Sequence, residues 1–156
     1  ETLFAHMEEI DYHWKCQLIG YEVWVEPLSI VYHKGAVTLS VSSPKKTYLN
    51  HRNSLILLLT NYPASISFRL LFPRFFMECI SLIKEILTFK WGHAFSIIKS
   101  WVWIMGHCGI LKQRRKFLKD KNIAAPELIY QQSIVKKYFI EGKKTYSSLG
   151  ILNGNN

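Results

Sequence analysis

Three carboxylates, Glu8, Glu9 and Asp11, crowd together near the start of the chain, and a histidine, His33, closes a run containing the β-branched Ile30 and Val31. A positioned carboxylate can take a proton from an attacking hydroxyl, and a neutral imidazole can ligate a metal ion. Carboxylates on a helix followed by a histidine at a strand end therefore describe a catalytic arrangement. They describe a solvated helix face and a structural histidine equally well, and composition does not separate the two. Six of the 11 acidic residues precede Pro27, so whatever the carboxylates do is concentrated in this stretch.

The elements that must hold these residues can be read from spacing. Leu3, Met7, Ile10, Trp14 and Leu18 recur at three and four residues, which predicts a helix over 2–19. Gly20 stands where a left-handed C-terminal cap is expected. Glu8 and Asp11 fall on one side of this helix, with Glu9 turned away by about a third of a turn. Residues 21–26 alternate and read as a short strand ended by Pro27. Residues 29–33 read as a second strand, Lys34-Gly35 as a loop, and 38–42 as polar extended chain. The helical pattern returns over 46–61, until Asn61-Tyr62-Pro63 breaks it. Two amphipathic segments follow within 75–109. In the first, Phe76, Ile80, Ile83 and Leu87 oppose Lys84 and Glu85; in the second, Trp91, Phe95, Ile98, Val102 and Met105 oppose Ser96 and Lys99. The charges make both too polar for a membrane span, but the pattern suits helices lying in a membrane interface, or a helical hairpin packed on a protein core. A basic cluster, Lys112 to Lys116, comes next and could meet anionic headgroups. A last helix is predicted over 125–140, with Pro126 in its first turn.

Net charge is +9 over 156 residues. Residues 1–61 carry five bases against six acids, and 62–156 carry fifteen against five. This asymmetry points to an anionic surface, membrane or nucleic acid. No nucleic-acid-binding module frames the basic run, so no nucleic acid is expected as a partner. Cys16, Cys79 and Cys108 are odd in number and lack CxxC spacing, which argues against a disulfide framework or zinc knuckle and for a reducing compartment. The chain does not open on Met and begins directly in a helical pattern, as part of a longer protein would.

The ordered motifs HMEEIDYHWKCQLIGYEVWVEP, VYHKGAVTLS and SPKKTYLNHRNSLILLLTNYP resemble the C-terminal part of bacterial family 2 glycosyltransferases, the rhamnosyltransferase-like enzymes of surface polysaccharide assembly. The resemblance rests on the acidic pair Glu8-Glu9, then Asp11, then Trp14-Lys15. It continues through Gly20-Tyr21, His33 with Gly35 close behind, and Tyr48 with Arg52-Asn53, and more loosely through Ser133-Ile134-Val135, Tyr138-Phe139 and Gly142-Lys143-Lys144. It covers nearly the whole chain.

The resemblance implies an α/β fold, the C-terminal part of a nucleotide-sugar-binding domain of the GT-A type, followed by an amphipathic, mostly α-helical tail. It implies an inverting transfer from a nucleotide-sugar donor to a lipid-linked or glycan acceptor, with a divalent metal, Mg²⁺ or Mn²⁺, neutralising the departing diphosphate. By position Glu9 matches the usual general base, although members usually carry Asp there; Glu8 is the alternative, and Asp11 orients the acceptor or the helix. His33 matches a histidine that ligates the metal in some members. Arg52 could grip a diphosphate through its planar guanidinium, and Trp14 could form an acceptor platform or pack in the core. The family's Asp-x-Asp donor motif is absent, since Asp occurs only at 11 and 120, so these residues alone are not expected to be active. The expected organisation is an acceptor-side catalytic part at 1–61, a membrane-interface region at 62–111 and a basic tail at 112–156. The expected location is peripheral, on the cytoplasmic face of a bacterial inner membrane. The rival reading is a non-enzymatic, basic, membrane-associated protein.

Overall fold

The structure, a computed structural model, describes residues 2–3, 5–32, 40, 42–120 and 132–149. It divides into two compact units, Glu1–Ala125 and Pro126–Asn156. The first contains helices α1 (Glu8–Leu18), α2 (Pro44–Asn61), α3 (Ala64–Leu87), α4 (Trp91–Gly106) and α5 (Cys108–Asp120). The second contains the short helix α6 (Ile134–Phe139) and a 3₁₀ turn, Ser147–Leu149.

The α/β expectation is overturned: among the described residues there is no strand. The predicted strand at 21–26 is irregular chain, and so are residues 29–32 of the second. Alternation marks a strand only where a neighbouring backbone completes the ladder and one face is buried. Here Trp24 is 83% and Tyr32 94% exposed, so the pattern meets neither a partner strand nor a core.

Helix α2 is the centre of the first unit. Ser43 is extended, Pro44 occupies the first helical turn with its fixed φ, and the Ser43 carbonyl accepts from the N–H groups of Lys46 and Thr47 at 3.0 and 3.2 Å. Pro63 ends the helix by forcing Tyr62 into extended backbone (φ −93°, ψ 153°). The run Leu55, Ile56, Leu57 is buried, and Leu55 and Ile56 form the core with Ile104 of α4, against Leu3, Leu59, Trp101, Trp103 and Leu111.

Pairings along α2 give the topology. His51, Ser54 and Leu58 meet Glu78, Arg74 and Ser67 respectively, so α3 runs antiparallel to α2. Thr47, Tyr48 and Arg52 meet His93, Lys99 and Trp103, so α4 runs parallel to it. Helix α2 also packs on α5. Helix α3 starts well before the predicted amphipathic segment and contains Pro73 in its interior.

The α1 terminus matches the sequence expectation. Gly20 is left-handed (φ 88°); its N–H donates to Gln17 O and that of Tyr21 to Cys16 O, at 3.1 and 2.9 Å, which together form a Schellman cap. The α3 end repeats it without glycine: Phe89 is left-handed (φ 55°), with Phe89 N–H on Ile86 O and Lys90 N–H on Glu85 O.

In the second unit, Ser133 Oγ caps α6 by accepting from Lys136 N–H at 3.2 Å. Residues 121–131, which hold most of the first half of the helix predicted over 125–140, lie outside the described residues.

Candidate functional site

The acidic stretch is held by its backbone. His6 and Met7, directly before Glu8, are both left-handed (φ 68° and 71°), a conformation that costs a non-glycine residue about 1–2 kcal/mol. Such conformations persist where surrounding structure over-determines them, and here the surroundings can be named. Asn53, fully buried on α2, donates both hydrogens of Nδ2 to the carbonyls of Ala5 and His6, each at 2.8 Å. Arg52 donates from Nη2 to the Thr2 carbonyl at 3.1 Å and orients Asn53 by donating from Nε and Nη2 to its Oδ1. The neighbouring pair Arg52-Asn53 thus fixes the entry to α1 from fifty residues away.

Asp11 is fixed from the other side. It is buried; its Oδ2 accepts from Lys15 Nζ at 2.6 Å and Arg114 Nη2 at 2.7 Å, and its Oδ1 from Asn61 Nδ2 at 2.9 Å. Burial alone would push its pKa up, but the hydrogen bonds from Lys15, Arg114 and Asn61 outweigh that and hold it below its ordinary value. Asp11 is therefore an anionic tie joining α1, α2 and α5.

Glu8 and Glu9 differ from Asp11. Both are exposed in the first turn of α1, and neither carboxylate has a hydrogen-bond or ion-pair partner among the described residues. The arrangement is two free carboxylates on a helix start whose backbone is locked by Asn53 and Arg52 and whose next acidic side chain is locked by three donors. A carboxylate so placed can accept a proton from a substrate hydroxyl without first breaking a protein contact.

The remaining predicted residues fall in different settings. Trp14 is half-buried, with Tyr62 edge-on to its ring at 4.7 Å, and that packing fixes α1 on the α2–α3 corner. Arg52 directs Nε and Nη2 into the protein, and its guanidinium lies 5.3 Å from the Tyr48 ring and 5.1 Å from the Trp103 ring. His33 and Gly35 lie outside the described residues. Among the described residues no three His, Cys, Asp or Glu side chains converge to hold a metal ion.

Asn61 and Arg114 were not singled out from sequence. Asn61 had a signal, a polar side chain at the end of the apolar run Leu55–Leu59 on a buried helix. Arg114, in a basic cluster that reads as solvated, had none. Compared with protein-family models, with characterised proteins and with solved structures, the chain matches none.

Proposed function

We propose that this chain is the acceptor side of an inverting glycosyltransferase, with Glu9 as general base and Glu8 as its alternative. The reading takes its chemistry from the resemblance to family 2 glycosyltransferases. The observation that supports it most is the contrast between the free Glu8 and Glu9 and the locked backbone that precedes them. In the reaction, Glu9 takes the proton of an acceptor hydroxyl as its oxygen attacks the anomeric carbon of the donor sugar. The bond to the nucleoside diphosphate breaks on the opposite side, the diphosphate leaves with the bonding electrons, and configuration inverts. Asp11 and Asn53 position the base without touching substrate.

The reading extends to a peripheral seat on an anionic membrane. Phe68, Phe72, Phe76, Ile83 and Leu87 of α3, and Trp91, Phe95, Ile98, Val102 and Met105 of α4, are exposed. Exposed apolar surface of this extent, beside Arg69, Lys84, Lys90 and Lys99, suits an interfacial location. No single helix among the described residues is long and apolar enough to cross a membrane; α4 with residues 108–116 meets the length and composition together, but the pair is bent by 67°.

The test uses the longest natural protein that contains this chain, assayed for turnover of nucleotide sugars. Glu9→Gln is expected to lower turnover about 10²- to 10⁴-fold, the usual contribution of a general base, without unfolding the protein. Near-normal transfer by both Glu9→Gln and Glu8→Gln would overturn the site. A second reading, a non-enzymatic membrane-associated protein, is favoured by the apolar surface alone; membrane binding without turnover of any nucleotide sugar would establish it.

A further inference from the structure

Between α3 and α4 the chain turns on Phe89, whose left-handed backbone (φ 55°) is one that glycine adopts without steric cost and phenylalanine does not. The Phe89 ring does not offset that cost by packing, because it is 79% exposed. Its neighbours repeat the pattern. Leu87, the last residue of α3, is 72% exposed, and Trp91, the first of α4, is 60% exposed. The turn that carries these side chains is firmly built. Thr88 Oγ1 donates to the carbonyls of Lys84 and Glu85 at 2.9 and 3.3 Å, and the Lys90 carbonyl accepts from His93 and Ala94 N–H at 3.0 and 3.1 Å. A hydrogen bond of 2.7 Å between Thr47 Oγ1 and His93 Nδ1 holds the start of α4 on α2. A strained backbone held by its surroundings, with its large side chain turned to solvent, points to a use of that side chain outside the fold.

Charge and extent select the partner. Residues 84–99 carry Lys84, Lys90 and Lys99 against Glu85 alone. Glu85 pairs with Lys84 at 3.1 Å, so the surface around the turn remains net positive with that pair discounted. Exposed apolar side chains continue from the turn back along α3 through Ile83 and Phe76, and onward along α4 through Phe95 and Ile98. A surface that extends along two helices suits a plane more than a groove. A bilayer containing anionic lipid answers both features, with hydrocarbon for the apolar side chains and negative potential for the basic excess. The Trp91 indole suits the level between headgroups and acyl chains.

We infer that the α3–α4 turn is the element that enters the bilayer, with Leu87, Phe89 and Trp91 passing below the headgroups of an anionic membrane. The inference rests on the membrane-facing reading for its partner. It adds the element that inserts, and so the end of α3 and the end of α4 that face the lipid.

The test is flotation of the full chain over a titration of vesicles made of phosphatidylcholine and phosphatidylglycerol, for wild type, Phe89→Gly and Leu28→Gly. Phe89→Gly removes the ring and the backbone strain together. The variant is therefore expected to be at least as stable as wild type while its vesicle affinity falls about 10- to 100-fold, the worth of burying one Phe side chain. A merely structural role would move stability and affinity in the same direction. Leu28 is 88% exposed beside Glu26, whose carboxylate accepts from its N–H, and Leu28→Gly is expected to leave affinity unchanged. Quenching of tryptophan fluorescence by vesicles containing brominated phosphatidylcholine supplies a second readout, and most of it is expected to disappear in Trp91→Phe. Equal loss of affinity in Phe89→Gly and Leu28→Gly, or undiminished quenching in Trp91→Phe, would overturn the inference. Unchanged affinity in Phe89→Gly while wild type floats would overturn the turn alone and leave the membrane-facing reading standing. Failure of wild type to float would remove both. A dimer in solution that Phe89→Gly dissociates, without vesicle binding, would assign the turn to a second copy of the chain instead.

Discussion

Asn53 and Asp11 show how polar side chains can do what apolar burial cannot, which is to fix a particular backbone path. Each is buried and fully committed, Asn53 to two carbonyls and the Arg52 guanidinium, Asp11 to Lys15, Arg114 and Asn61. Replacing Asn53 with Ala leaves the Ala5 and His6 carbonyls without their donor, a cost of about 2–3 kcal/mol. We expect chemical denaturation of Asn53→Ala to show that loss; on the proposal that Glu9 is the base, turnover by the natural protein is expected to fall mainly in kcat, because Asn53 fixes the backbone entering α1. A change confined to the KM for donor would show that Asn53 acts elsewhere. Asp11→Ala leaves Arg114, whose side chain is 15% exposed, without its counter-ion; removing one partner of a buried pair costs about 3–5 kcal/mol, and the exposure of Lys15 places this case at the lower end.

At the scale of elements, the sequence showed most where local chemistry decides the outcome. Gly20 as a left-handed cap, the break at Asn61-Tyr62-Pro63 and the periodic α4 are all local, and all appear in the structure. The strands at 21–26 and 29–33 were not decidable that way, because a strand exists only with its neighbour. The Arg52-Asn53 clamp was also hidden: it depends on which face of α2 meets residues 2–6, a matter of packing across fifty positions. Phe89 is a further case. Its left-handed backbone completes a Schellman cap that glycine would complete without steric cost. Phe89→Gly is expected to raise stability by up to about 1 kcal/mol in denaturant titration, whereas Phe89→Ala gives no such gain. Equal behaviour of the two variants would mean that the backbone at 89 is not strained. In the core, Leu55→Ala is expected to cost about 2–5 kcal/mol, since Leu55 is fully buried where α2 meets Ile104.

For the molecule as a whole, two buried carboxylates tie the helices together. Asp11 joins α1, α2 and α5. Glu78, buried on α3, accepts from His51 at 2.5 Å and pairs with Arg74. Burial raises the Glu78 pKa, but the His51 hydrogen bond and the charges of Arg74 and His51 outweigh it, so this carboxyl also lies below its ordinary value. A carboxyl whose folded pKa is depressed binds its proton more readily in the unfolded chain. Its stabilisation is therefore complete above the unfolded value, roughly pH 4, and is lost as pH falls through the folded one. Through these two groups, thermal midpoints are expected not to vary with pH near neutrality and to decline below about pH 4.5. The combined Asp11→Asn and Glu78→Gln variant should be less stable at neutral pH and show a flatter acid decline; an unchanged slope would remove both carboxyls from the acid response. The basic excess of 62–156 and the exposed apolar faces of α3 and α4 were both legible in the sequence as patterns.

The most direct measurement is nucleotide-sugar turnover by the longest natural protein containing this chain, compared among wild type, Glu8→Gln and Glu9→Gln with folding checked by circular dichroism. Loss of about 10²- to 10⁴-fold in Glu9→Gln, with a smaller loss in Glu8→Gln, is the expected result. Wild-type rates in both folded variants would show that the free carboxylates at the start of α1 are solvated surface and not the base of a transferase.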